Sequence, residues 1–205
     1  YAGAGSSSLG HWVIKVGNFT TPGGVPTVSG TVTYDPGTTP DWLEVHGFHP
    51  LTDDYILCSG NPQGQDVLRS DIYFFQISTT TITNLTGNNQ WEEHAHINPA
   101  GTYIVWMRGT TDDEALATLN SELWIMRANG SFKRQLTFFN TPGHPHYLGG
   151  EYICADGEWS PDGTKYACLV QLQGTNQGFI FVFDMQEEPV TWKVLNNAST
   201  PPVTT

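Results

Sequence analysis

The feature that most constrains this chain is internal repetition. The segment "SDIYFFQISTTTITNLTGNNQW" lies over "SELWIMRANGSFKRQLTFFNTPG" at a single offset, so that Asp71-Ile72-Tyr73 matches Glu122-Leu123-Trp124 and Leu85-Thr86 matches Leu136-Thr137, both 51 residues apart. A second element accompanies each copy. Asn98-Pro99-Ala100-Gly101 is followed by Tyr103 to Trp106, and Ser160-Pro161-Asp162-Gly163 by Lys165 to Cys168. His49-Pro50 followed by Tyr55 to Cys58 is an earlier copy with a turn one residue longer. Trp12-Val13-Ile14-Lys15 resembles Trp124-Ile125-Met126-Arg127, and Phe179 to Asp184 is the last copy of that strand. A repeat of this length is one supersecondary unit that buries its apolar faces only against neighbours.

Each unit reads as four short strands: one entering the Pro-x-Gly-like turn, one leaving it, one of the "LWIM" type and one ending in Leu-Thr. The 22 glycines and 13 prolines fit many tight turns, and a Thr-rich, 12% aromatic texture fits strands. No window sustains a 3.6-residue period; the nearest helical candidate, Asp112 to Asn120, is short and uncapped. An all-β fold is expected.

The pattern resembles the WD40-like repeats of the TolB type, with "EWSPDGTKYA" the closest match and "INPAGTYIVW" and "FHPLTDDYIL" weaker ones. The resemblance covers about residues 11–195 and implies a β-propeller of four-stranded antiparallel blades. It is nearly silent on activity, because propellers host unrelated functions. The expected organisation is an N-terminal extension at 1–10, a half blade at 11–35, and blades at 42–87, 91–139 and 151–195. A Ser/Thr/Pro-rich tail at 196–205 resembles a linker or stalk. About three and a half blades are fewer than the roughly 4–8 that close a ring. Another chain, a further copy, or a missing portion of the polypeptide is expected to complete it, and two copies would supply seven blades. The first residue is Tyr1 rather than Met, so a processed chain or a fragment is expected.

Composition narrows the partners. Eight Lys+Arg against 20 Asp+Glu give a formal charge of −12, which repels phosphate and argues against nucleic acid and anionic membranes. No stretch approaches the ~18 apolar residues of a membrane span. There is no Gly-x-Ser-x-Gly elbow, phosphate loop or dinucleotide fingerprint. The odd set Cys58, Cys154 and Cys168 forbids complete internal pairing and has no zinc-ribbon spacing. Cys154 and Cys168 could bridge in an oxidising compartment; three buried thiols are the other reading.

Six of seven histidines fall in close pairs: His46/His49, His94/His96 and His144/His146. The first two precede a turn proline, on or just before the strand expected to line a channel. The third lies in an insertion from Phe138 to Gly157. His-x-His on a strand points both rings to one side, as a metal requires, so His49, His94 and His96 are candidate ligands, with His46, His144 and His146 as further ones. Glu44, Glu93, Glu151, Asp156 and Glu158 are the acids nearby. Histidines hydrogen-bonded to backbone are the competing reading. The segment "EEHAHINPAG" also resembles oligogalacturonate lyases, propellers of this type. That likeness implies a divalent metal held by channel histidines and a glutamine, with a basic residue at the site. Gln90 lies four residues before His94, and Arg69 and Arg108 are the basic residues near strand ends.

Trp42 and Trp91 both stand eight residues before a turn proline, and Glu44 and Glu93 six before. With Tyr147, the two tryptophans form a candidate sugar-stacking platform; as repeat features they equally suit gaps between blades. Trp124 and Trp159, inside repeat signatures, read as core. Sequons at Asn18, Asn84, Asn129 and Asn197 are candidate glycosylation sites, with Asn18 and Asn129 expected in matching turns. Two functions fit: an extracellular, cell-surface or periplasmic scaffold binding protein or carbohydrate or assembling with itself, and a metal-dependent polysaccharide lyase or hydrolase.

Overall fold

The computed structural model describes residues 12–35, 42–61, 69–88, 90–110, 120–186 and 191–195. The N-terminal extension, the tail, Asn197 and the helical candidate up to residue 119 lie outside them. Among the described residues the chain is all-β, apart from one 3₁₀ turn at Pro22–Gly24. Strands β1 (Ile14–Thr20) and β2 (Thr27–Tyr34) form a two-stranded hairpin. Three four-stranded antiparallel sheets follow, each a meander in chain order. The second sheet comprises β3 (Leu43–Phe48), β4 (Tyr55–Gly60), β5 (Asp71–Gln76) and β6 (Thr81–Asn84). The third comprises β7 (Glu92–Ile97), β8 (Tyr103–Gly109), β9 (Ser121–Arg127) and β10 (Arg134–Gln135). The fourth comprises β11 (Tyr152–Trp159), β12 (Lys165–Leu172), β13 (Gly178–Asp184) and β14 (Thr191–Val194). Three and a half blades are present, as the repeat predicts.

The sheets stack because their middle strands are apolar on both faces. Ile56, Cys58, Tyr73 and Phe75 pack toward the hairpin with Ile14, whereas Leu57, Ile72 and Phe74 pack toward the third sheet with Ile104, Trp106 and Met126. On the far side of the third sheet, Val105, Leu123 and Ile125 meet Phe179, Phe181 and Phe183 of the fourth. Side chains alternate across a strand, so one continuous apolar run feeds two cores. The first strands β3, β7 and β11 lie side by side and form the inner edge of the stack.

The repeat signatures have a physical cause. Asp71 and Glu122 are buried carboxylates at matching positions, and each is satisfied by the following Leu-Thr segment. The Thr86 hydroxyl donates to Asp71 at 3.1 Å and accepts from the Ile72 amide at 2.9 Å. The Thr137 hydroxyl donates to Glu122 at 2.6 Å and accepts from the Leu123 amide at 2.9 Å. Amides of Asn88, Phe139 and Asn140 add to the two carboxylates, so neither is left without donors. The Pro-containing turns also match. The Gly101 amide donates to the Asn98 carbonyl, and that of Gly163 to the Ser160 carbonyl, both at 2.8 Å. Both glycines have positive φ, and a Cβ on Gly101 would stand 2.6 Å from His49 Cε1.

One sequon departs from its expected place. Asn18 lies within β1, next to an irregularity between Val16 and Asn18, because the first hairpin runs on to a turn at Pro22–Gly24; it does not share the turn position of Asn129. Cys58, Cys154 and Cys168 are buried free thiols. Trp159 is core as expected, whereas Trp124 is half-buried beneath Arg108, whose guanidinium lies 4.3 Å from the ring centroid.

Candidate functional site

Each inner strand carries one extra residue in its pairing, at Val45/Gly47 in β3, Glu93/His96 in β7 and Cys154/Gly157 in β11. Such bulges re-aim side chains. Here they place His46, the His94–Ala95 pair and the Ala155–Asp156 pair at corresponding points of three neighbouring inner strands. His94 has φ 50°, a conformation uncommon outside glycine. Gly157 follows the last bulge, where a Cβ would lie 2.6 Å from the Ala167 carbonyl.

These bulges bring a histidine–carboxylate cluster together. His94 Nδ1 lies 2.8 Å from Asp156 Oδ1, and His96 Nδ1 lies 3.5 Å from Glu158 Oε2. Glu93 Oε2 is 3.8 Å from His94 Nε2. The His46 and His96 ring centroids are 6.1 Å apart. His46 Nε2 makes a 2.9 Å hydrogen bond with Ser59 Oγ. The histidines are largely covered at 19% side-chain exposure, while Asp156 and Glu158 remain 79% and 72% exposed. Below them Tyr166 is fully buried with a hydroxyl that has no partner, and burial holds that phenol well above its ordinary range.

Burial dominates the proton equilibria. It pulls His46 down to about 3, with His96 and His94 adding to the effect. It also lowers His96, against the opposing pull of Glu158. Glu93 is pushed up to about 7 by burial, reinforced by Glu44 and Asp156. Burial therefore favours the neutral imidazole at His46 and His96, and Glu93 supplies a carboxyl that titrates near neutrality close to the exposed side chains of Asp156 and Glu158. Such a set can donate, accept and exchange protons with a polar ligand.

The expected ligand trio does not assemble. His49 lies over Gly101 and against Phe74, at a 6.1 Å ring separation, while His46 joins His94 and His96. Among the described residues no three His, Cys, Asp or Glu side chains are grouped to hold a metal ion. His94 and His96 each face a carboxylate from the next sheet. His144 stacks on Phe138 at 4.2 Å, and His146 packs edge-on against Trp192 at 4.3 Å, which makes this pair part of the outer wall of the fourth sheet. Trp42 and Trp91 are half-buried at the starts of β3 and β7; the buried Trp42 indole N–H has no partner among the described residues, and the Trp91 indole is directed at Glu93. Tyr147 belongs to the β10–β11 connection, near Tyr152. Gln90 and Arg108 are engaged with each other, and Arg108 Nε is 3.6 Å from Glu92. Asn18, Asn84 and Asn129 are exposed, although the Asn84 amide also donates to Asp71 at 2.8 Å.

Sequence reasoning named Asp156 and Glu158 only as neighbouring acids. The signal that pairs them with histidines is the turn proline: Asp156 and Glu158 stand five and three residues before Pro161, as His94 and His96 do before Pro99.

No protein-family model and no curated protein sequence matches the chain. Solved structures do match. A protein described as TolB from Agrobacterium tumefaciens aligns with a TM-score of 0.57 and 16% identity, over 82% of this chain and 51% of that one. TolB from Acinetobacter baumannii aligns at 0.54 and 18%, over 86% of this chain and 36% of that one. The chain thus spans about half the length of the first and about a third of the second. Oligogalacturonate lyase in complex with manganese aligns at only 0.26 and 12%, a likeness that carries no argument. In fold the chain is part of a TolB-like β-propeller. No helix among the described residues is long and apolar enough to cross a membrane.

Proposed function

We propose that this chain is a binding scaffold, an arc of propeller blades completed by further blades from another chain, a second copy or a further portion of the polypeptide. The observation that carries the reading is the outward face of the fourth sheet. Ala167 and Val182 pair there, as do Leu169 and Ile180, in a row that continues toward Leu195. Ile180 is 39% and Leu195 64% exposed, on a face that every internal sheet of this stack buries. Exposed sheet faces and unpaired edges of this kind mark interaction surfaces. At the opposite end the hairpin has two strands where the other sheets have four, with Phe19, Val28 and Val32 at least half exposed.

In this reading the His46/His94/His96 cluster lines the inner edge and meets a polar ligand, of protein or carbohydrate origin. An extracellular or periplasmic location, with glycans at Asn18, Asn84 and Asn129, belongs to the same proposal and rests on the exposure of those three asparagines. The metal-dependent lyase or hydrolase reading predicts a different outcome, a bound divalent ion lost on His94→Ala. The scaffold reading predicts no stoichiometric metal in the purified protein, and elemental analysis of wild type and His94→Ala separates the two.

A further inference from the structure

Three of the chain's eight cationic residues line one cleft that does not include the His46/His94/His96 cluster. Arg127, Lys133 and Arg134 line a cleft of about 560 Å³ between the β9–β10 hairpin and the Ser160–Gly163 turn of the fourth sheet. In a chain of net charge −12, that concentration is the strongest local departure from the overall field.

The cleft has two aromatic flanks and an apolar floor. Tyr103 is directly opposite Arg127 in the β8–β9 ladder, and the Arg127 guanidinium lies 3.9 Å from the centroid of the Phe132 ring. Tyr103 is 42% and Phe132 72% exposed. Trp159 and Met185 form the floor, and a thioether adapts its shape to what it contacts. Phe132 has φ 55°, which for a bulky side chain is a strained backbone, and strain held at an exposed aromatic points to use of the side chain.

Among the described residues the nearby polar groups are already engaged. The Asn98 carboxamide bonds Thr102 and Tyr103. Asp162 accepts from Ser160 and Thr164 within its own turn, and Lys165 is paired with Asp184 at 3.3 Å. Lys133 spends one N–H on the Gly130 carbonyl. A neutral sugar would stack on the aromatic flanks but bring no counter-charge to the cationic rim. A ligand whose polarity is concentrated in carboxylates, with one apolar anchor, fits both the rim and the floor.

We infer that this cleft is a docking site for an acidic peptide segment carrying an apolar side chain, with Arg127 and Lys133 meeting the carboxylates and Phe132 and Tyr103 flanking the anchor. The probe is a fluorescein-labelled Glu-Glu-Phe-Glu-Glu amide, followed by anisotropy at low and at physiological ionic strength. Saturable, salt-sensitive binding is expected, weakened about tenfold or more by the double variant Arg127→Glu/Lys133→Glu with the unfolding midpoint retained. Phe132→Gly is expected to weaken binding while raising thermal stability, a combination that a purely structural role does not produce. Absence of saturable binding, equal binding of a Gln-Gln-Phe-Gln-Gln amide, or indifference to the double variant would each overturn the inference. So would displacement of the peptide by a neutral oligosaccharide such as maltotriose, which would make the cleft a carbohydrate site.

Discussion

His94 and Asp156 face each other at 2.8 Å across two neighbouring sheets, and each stands five residues before its own turn proline. They are therefore one repeat position seen twice, with a base in one blade and an acid in the next. His96 and Glu158, at 3.5 Å, repeat the relationship two residues later. The inner edge of the third and fourth sheets is thus built from equivalent positions that carry a histidine in one sheet and an acid in the next.

These pairs are expected to contribute little to stability. Asp156 and Glu158 are largely exposed, and an exposed pair is screened by water and salt. A double-mutant cycle of His94→Ala with Asp156→Ala, followed by denaturant unfolding, should give a coupling energy below about 1 kcal/mol. A larger coupling would assign the pair a structural role.

His46 and Glu93 set the pH dependence in opposite directions. The folded state holds His46 down at about 3 against 6.5 for a histidine free in water, so the unfolded chain binds the proton first. Stability then falls as pH drops from about 6.5 toward 3, by at most about 1.4 kcal/mol per pH unit. Glu93 is raised from 4.5 to about 7, so its contribution is present at low pH and is lost as pH rises through that interval. Unfolding midpoints across pH should show the acid-side loss flattened in His46→Gln and the loss toward neutrality flattened in Glu93→Gln.

The Leu-Thr signature predicts its own mutational cost. Thr137→Val removes the hydroxyl that both donates to buried Glu122 and accepts from Leu123. The expected destabilisation is about 2 kcal/mol, within the range for leaving a buried polar group short of a partner. Thr86→Val, which does the same to Asp71 and Ile72, should cost a similar amount by urea titration. A negligible effect at both positions would remove the physical account of the repeat.

Trp106 offers a check on the two-faced packing. It is fully buried between the second and third sheets, and its indole donates to Glu92 at 3.0 Å. Trp106→Ala should cost about 3–5 kcal/mol and separate those sheets, visible as accelerated amide exchange in β5 and β8 together.

Much of the fold is legible in the sequence because its determinants are local. Pro-x-Gly spacing marks the turns, and runs such as "YILCSG" and "DIYFFQ" supply apolar residues to both faces of one strand. The site is less legible, because it depends on contacts across blades. Nothing within "EEHAHINPAG" says that its histidines face "ADGEWSPDG", 62 residues on; only the proline alignment carried to the third copy says so. The bulges that separate His46 from His49 and direct His94 toward Asp156 leave no composition signal. Phe132 is the clearest case of silence, since an aromatic residue gives no hint of positive φ. Asn18 misled for a related reason: the first hairpin extends farther than its repeat counterparts before turning.

The central claim, in the form in which a second copy completes the arc through its open faces, is tested most directly by the solution mass from sedimentation equilibrium. The account predicts a concentration-dependent mass above the 22.6 kDa of one chain, reduced toward 22.6 kDa by Leu169→Asp/Ile180→Asp on the outward face of the fourth sheet. A compact, stable species of 22.6 kDa at every concentration, unaffected by that double substitution, would contradict it.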